Sequence, residues 1–306
     1  MTKATKSTVE RLQGEAGDRT KLGYVIWWSL ERTLRVAGEK VKDAFVKCGF
    51  TEEESPTACD AEIAFTRVHR NAHNHSLFSE WLIRKVFIGD EKIVYGIVKE
   101  TIDKKKEDLD YRKEDKITLL RNTEDVKVEN NTEQGLAIKK SYHDLKGKVD
   151  NYQLLTFLLN QVRTMDSLNL REMGGIYFLP IKHEERLLRI EKAFASVSSE
   201  STIFMLPIYK DDRAKKSLTM AFDETFQSEL EGKTNELKKL AEAENTRDST
   251  FNNRLEELKG MQSKVKAYED LLNFKATEIR KKISDLSGET SKLAADGRLK
   301  RKVDMG

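Results

Sequence analysis

Three histidines stand close together, His69, His73 and His75, in V-H-R-N-A-H-N-H. On a helix, His69 and His73 share a face at the i, i+4 spacing of paired zinc ligands. No glutamate occupies the metalloprotease position between them, and the fragment is polar and borders a loop. The competing reading is a solvated helix end, where His and Arg complement the helix dipole. His69 and His73 are therefore candidate ligands, and no metal is assigned.

Basic residues near aromatics offer a second chemistry. Arg67, Arg70, Arg84 and Lys85 surround Trp81 and Phe87 along the chain. Such a face would stack and clamp single-stranded nucleic acid. The alternative makes Trp81 a core residue whose solvated edge is lined by Arg and Lys stems. The C-terminal K-R-K is shorter than a dependable basic cluster.

The paired Gly174-Gly175 precedes I-Y-F-L-P. It lacks the further glycine of a dinucleotide fingerprint, and no G-K-[ST] follows. It reads instead as a bulge or a close backbone approach. No G-x-S-x-G elbow presents a serine nucleophile. Cys48 and Cys59 lie at helix ends and read as small buried hydrophobes. Two cysteines make no disulfide framework. Asp211-Asp212 is one carboxylate pair among many. No catalytic residue and no cofactor is assigned, and the reading leans away from an enzyme.

The elements that position these residues follow from periodicity. Leu22–Leu30 is aromatic and β-branched, a buried strand. Thr33–Gly49 and Ala58–Arg70 have helical spacing. Two apolar runs around the Gly89-Asp90 turn predict a hairpin, Trp81–Ile88 and Lys92–Ile102. Leu109–Tyr111, Ile117–Leu120 and Val126–Val128 extend it into an antiparallel meander with one solvated face. Gln134–Leu168 is a long helical stretch in which Gly147 marks a candidate break. The stretch Leu168–Pro180 brings the chain back to a sheet as a central strand, its glycines packing on the preceding helix. His183–Ser198 is amphipathic, and Thr202–Tyr209 is an edge strand because Pro207 removes a ladder donor.

From Asp211 the chain is helical. Leu218 to Leu240 mark one helix. Phe251 to Leu286 repeat at threes, fours and sevens on a second, joined to the first by N-T-R-D-S-T. The pair predicts an antiparallel hairpin of coiled-coil type ended by Gly288. The fold class is α+β: an antiparallel sheet with packed helices, then this hairpin. The expected division is a flexible arm over 1–20, an α+β domain over 21–210, the hairpin over 211–290 and a basic frayed tail over 291–306.

Composition narrows the function classes. The chain has 306 residues, with 55 basic against 52 acidic residues and a net charge of +3. The two signs are interleaved, so no overall nucleic-acid field exists, although a local patch is compatible with it. Only three prolines occur, which suits long helices. No apolar run approaches the ~20 residues of a bilayer span, and the first residues lack a secretory core. A reduced, cytoplasmic setting is expected.

Several fragments occur in one order: G-Y-V-I-W-W-S from Gly23, D-A-E-I-A-F-T-R from Asp60, the Trp81–Glu100 hairpin, and R-E-M-G-G-I-Y-F-L-P from Arg171. That order resembles an uncharacterised family of bacterial, archaeal and phage proteins. Its pattern has a G-Y-x-x-W-x-S start and an R-x-x-G-G-V-Y-F-V-P block ahead of a helical tail. Ile176 and Leu179 stand where the family pattern has valine. The likeness spans most of Leu22–Tyr209 and picks out Arg171, Gly174, Gly175, Tyr177 and Pro180. It implies no activity, but it does suggest proximity to AAA-type ATPases. The reading is a non-enzymatic interaction or assembly protein, docking a protein partner or a second copy through the hairpin. The alternative is nucleic-acid binding in phage or mobile-element biology.

Overall fold

The computed structural model of the chain describes residues 20–72, 76–102, 109–171, 174–242 and 247–304. In chain order its elements are β1 (Lys21–Ser29), β2 (Arg35–Ala37), α1 (Gly38–Lys47), α2 (Ala61–Ala72), β3 (Trp81–Ile88), β4 (Lys92–Ile102), β5 (Leu109–Leu120), β6 (Asp125–Val128) and α3 (Glu133–Leu145). There follow β7 (Lys148–Asp150), α4 (Asn151–Thr164), β8 (Leu168–Asn169), β9 (Tyr177–Pro180), α5 (Glu184–Val197), β10 (Thr202–Tyr209), α6 (Asp212–Glu242), α7 (Asp248–Leu272) and α8 (Thr277–Asp304). The fold is α+β. The chain divides into two units: residues 29–161 with 187–202, and residues 20–28 with 162–186 and 203–304.

The unit of 29–161 and 187–202 is built on the expected meander, with strand order β3-β4-β5-β6 and every neighbour antiparallel. Alternation in β5 sets its two faces. Asp115, Ile117 and Leu119 are buried, while Lys116, Thr118 and Leu120 are half-buried. The buried face shares one apolar cluster with Phe65 and Val68 of α2 and Ile138 and Tyr142 of α3. Asp115 is itself buried. Its carboxylate accepts from the backbone N–H of Lys116, Asn130 and Thr132 and from the Thr132 hydroxyl at 2.7 to 3.0 Å. Burial pushes its carboxyl up, but those four donors outweigh it and hold it below the usual range. The same Thr132 caps α3 by accepting from Gly135 N–H. A second aromatic cluster joins Phe45, Phe50, Phe157 and Phe194, with Phe45 edge-on to Phe157 at 4.9 Å.

Two helical expectations gave way to strand here. Arg35–Ala37 and Lys148–Asp150, expected within helices, pair antiparallel as β2 and β7. Gly147 supplies the break at φ +72, and its carbonyl accepts from Gly38 N–H at 3.0 Å. Leu109–Tyr111 and Ile117–Leu120 are not separate strands. They are the two ends of the 12-residue β5, which a bulge opposite Ile97/Val98 keeps continuous despite its charged middle.

The other unit joins a sheet of order β10-β1-β9-β8 to the three C-terminal helices. β10 is an edge strand, as Pro207 required. β9 is internal, as expected for the strand after Gly174-Gly175. Leu218, Phe222, Phe226 and Leu230 form an i, i+4 stripe on α6. They share one core with Val265 and Tyr268 of α7, Ile279 and Ile283 of α8, and Leu22, Leu168 and Phe178 of the sheet. The predicted second helix is two. Asn273 adopts the left-handed conformation at φ 56 and ends α7. The buried Glu269 carboxylate then accepts from Ala276 N–H at 2.8 Å and pairs with Arg280, which fixes the turn into α8. Gly288 lies inside α8. Residues 291–304, expected as a frayed tail, continue that helix. The spatial division also differs from the boundary expected near Lys210, because β1, β8 and β9 share the core of α6 to α8. The expected arm over 1–20 lies, but for Thr20, outside the described residues.

Candidate functional site

His69 lies on the inner face of α2 and is 2% exposed. Its ring is edge-on to Phe65 and stacked on Tyr95 at 4.0 Å. Nδ1 lies 2.6 Å from the Phe65 carbonyl oxygen. A carbonyl only accepts, so Nδ1 carries the proton and donates. Nε2 is then a bare acceptor, with no partner among the described residues. Burial pushes the imidazole down to about 4 against the weaker upward pull of that hydrogen bond. The solvated-helix-end reading of His69 is thus replaced by a core imidazole, held neutral at pH 7. His73 and His75 lie outside the described residues. Among the described residues no group of three His, Cys, Asp or Glu is arranged to hold a metal.

The four basic candidates do not form one face. Arg67 is 8% exposed. Its Nη1 donates to both oxygens of buried Asp150 at 2.9 and 3.0 Å and lies 3.2 Å from Cys59 Sγ. Its Nη2 donates to Gln153 Oε1 at 2.9 Å. Asp150 Oδ1 also accepts from the Tyr152 and Gln153 backbone N–H groups that open α4. Arg67 is therefore a structural clamp between α2 and the β7–α4 junction, and it is corrected as a contact for nucleic acid. Burial raises the neighbouring Cys59 thiol to about 11, more than Arg67 lowers it, so Cys59 stays a thiol. Arg70 is exposed, its guanidinium 5.8 Å from the Tyr152 ring centre, where Arg67 also lies at 4.5 Å. These three residues, with Thr66, Asp60 and Glu62, line a groove of about 360 Å³. Its acids are already engaged: Asp60 accepts from Ile63 N–H, and Glu62 pairs with Arg121 at 2.8 Å.

Arg84 and Lys85 are on β3, and adjacent strand residues point to opposite faces. Lys85 is opposite Tyr95, with its ammonium 6.0 Å from that ring. Arg84 is opposite Gly96 on the face away from α2 and α3. Register places Lys92, Lys113, Lys116 and Lys127 on that same outer face, with Phe87 and Tyr111. Glu100, Asp125 and Glu129 share it, and Glu129 pairs with Lys113 and Lys116 at 3.9 and 3.8 Å. Sequence proximity grouped the basic residues wrongly, because strand pairing recruits lysines far along the chain.

At the end of β3 a bulge between Lys85 and Phe87 leaves Val86, Phe87 and Ile88 exposed at 64, 49 and 53%. Val86 reaches over Gly96, where an added Cβ would lie 3.3 Å from its methyl, and the Phe87 ring covers Gly89. β3 is the edge of its sheet. A run of three exposed large apolar residues on an edge strand is what native folds ordinarily avoid.

The two family-like blocks meet across β1 and β9: Gly23 faces Pro180, Tyr24 faces Leu179, Val25 faces Phe178 and Ile26 faces Tyr177. Tyr177 stacks on Trp28 at 5.5 Å, and Gly175 lies under the same indole, with an added Cβ 3.4 Å from the ring. Gly174 has φ +134 and packs on the exposed Arg171 side chain. The glycines therefore accommodate Trp28 and Arg171, not the preceding helix. Two polar groups near this seam were missed, since no motif announces them. Tyr24 and Lys21 converge on Glu184, with Lys21 Nζ at 2.7 Å. His183 and Lys182 flank the Asp166 carboxylate at 3.1 and 2.7 Å. The hydrogen bond from His183 leads in holding that carboxyl down at about 2, with Lys182 adding to it against burial.

No helix among the described residues is long and apolar enough to cross a membrane. No curated protein and no solved structure matches the chain. One family model does, and it covers residues 21–300, reaching well past Tyr209 through most of α8. With nearly the whole chain matched, the protein belongs to the family of unknown function DUF6744.

Proposed function

We propose that this chain is a non-enzymatic interaction and assembly protein whose docking element is the β3 edge. The single observation behind this is the exposed run Val86, Phe87 and Ile88 on a strand edge that has no partner strand among the described residues. Exposed apolar patches of this kind mark interaction sites more often than they serve the fold that carries them. The C-terminal helices, expected to do the docking, spend their apolar stripe on their own core. Docking through them would draw only on their charged outer faces. A cytoplasmic protein of prokaryotic or phage origin, working beside an AAA-type ATPase, remains the setting we propose. The test is co-expression with the products of the neighbouring genes. A stoichiometric complex, with another product or with a second copy, that Val86→Lys with Ile88→Lys disperses supports the reading. A wild-type chain that stays monomeric and purifies alone contradicts it.

A second reading rests on the outer face of the meander, where Arg84, Lys92, Lys113, Lys116 and Lys127 surround Phe87 and Tyr111. Aromatics among cations suit stacking of single-stranded nucleic acid. Arg70 beside Tyr152 adds a smaller cationic surface. Fluorescence anisotropy with a labelled oligonucleotide tests it. Binding that weakens steeply with salt supports it, and no binding at low salt removes it.

A further inference from the structure

We draw no further inference here: the strongest candidate, the apolar patch where exposed Trp27 of β1 stacks on exposed Phe204 of the edge strand β10, with exposed Leu206 further along that strand, is an unpartnered face, and nothing in the structure shows what covers it.

Discussion

A Cβ added to Gly23 would stand 2.0 Å from the carbonyl oxygen of Leu179, across the β1–β9 pair. No side chain fits there without moving a backbone, and the Phe178 ring closes the space at 2.9 Å. Gly23→Ala is expected to cost about 1–3 kcal/mol, the usual range for overpacking. Urea unfolding monitored by tryptophan fluorescence would read it, with Trp27 and Trp28 on the same strand. An unchanged midpoint would mean that β1 and β9 do not approach this closely.

The clamp between Arg67 and Asp150 is buried on both sides. Removing one partner strands the other charge away from water. Arg67→Ala is expected to lose about 3–5 kcal/mol in a denaturant titration. Arg70→Ala, on the same helix but exposed, should change stability by less than about 0.5 kcal/mol. Equal effects would contradict the burial difference.

His69 gives a pH dependence of known sign. The unfolded imidazole protonates near its ordinary 6.5, whereas the native one stays neutral down to about 4. Between those values the unfolded chain binds more protons, so acidification favours unfolding. The contribution is full above pH 6.5 and is lost as pH falls toward 4, amounting to about 3 kcal/mol. His69→Leu should flatten that part of the stability profile relative to wild type. Parallel profiles would place the imidazole in solvent.

Tyr268 lies in the core of α6 to α8, and its hydroxyl donates to the Asp166 carbonyl at 2.6 Å. Burial raises its phenol well above the ordinary value, with the Asp166 charge adding to the effect. Tyr268→Phe is expected to cost about 1 kcal/mol, plus the penalty of an unpaired carbonyl, in thermal unfolding.

Much of the fold was legible because its signals are local. The Gly89-Asp90 turn between two apolar runs predicts β3 and β4, and Pro207 places β10 at an edge. The stripe from Leu218 to Leu237 follows from helical spacing alone. What escaped is set by distant pairing. Nothing local says that Arg35–Ala37 leaves its helix to pair with Lys148–Asp150, or that Asn273 turns left-handed where the apolar repeat runs on through Leu286. The basic site suffered the same way. Arg67 and Arg84 read alike in sequence, but one faces Asp150 in the core and the other faces solvent across from Gly96. A carboxylate partner 83 positions away could not be inferred from spacing.

The exposed end of β3 is the proposed docking surface. Photo-crosslinking from a benzophenone amino acid placed at Val86, in cells of the native host, tests it most directly. One discrete adduct is expected, identified by mass spectrometry as this chain or a neighbouring gene product. The adduct should be absent when the label is moved to exposed Lys47 on α1. Identical background from both positions would contradict it.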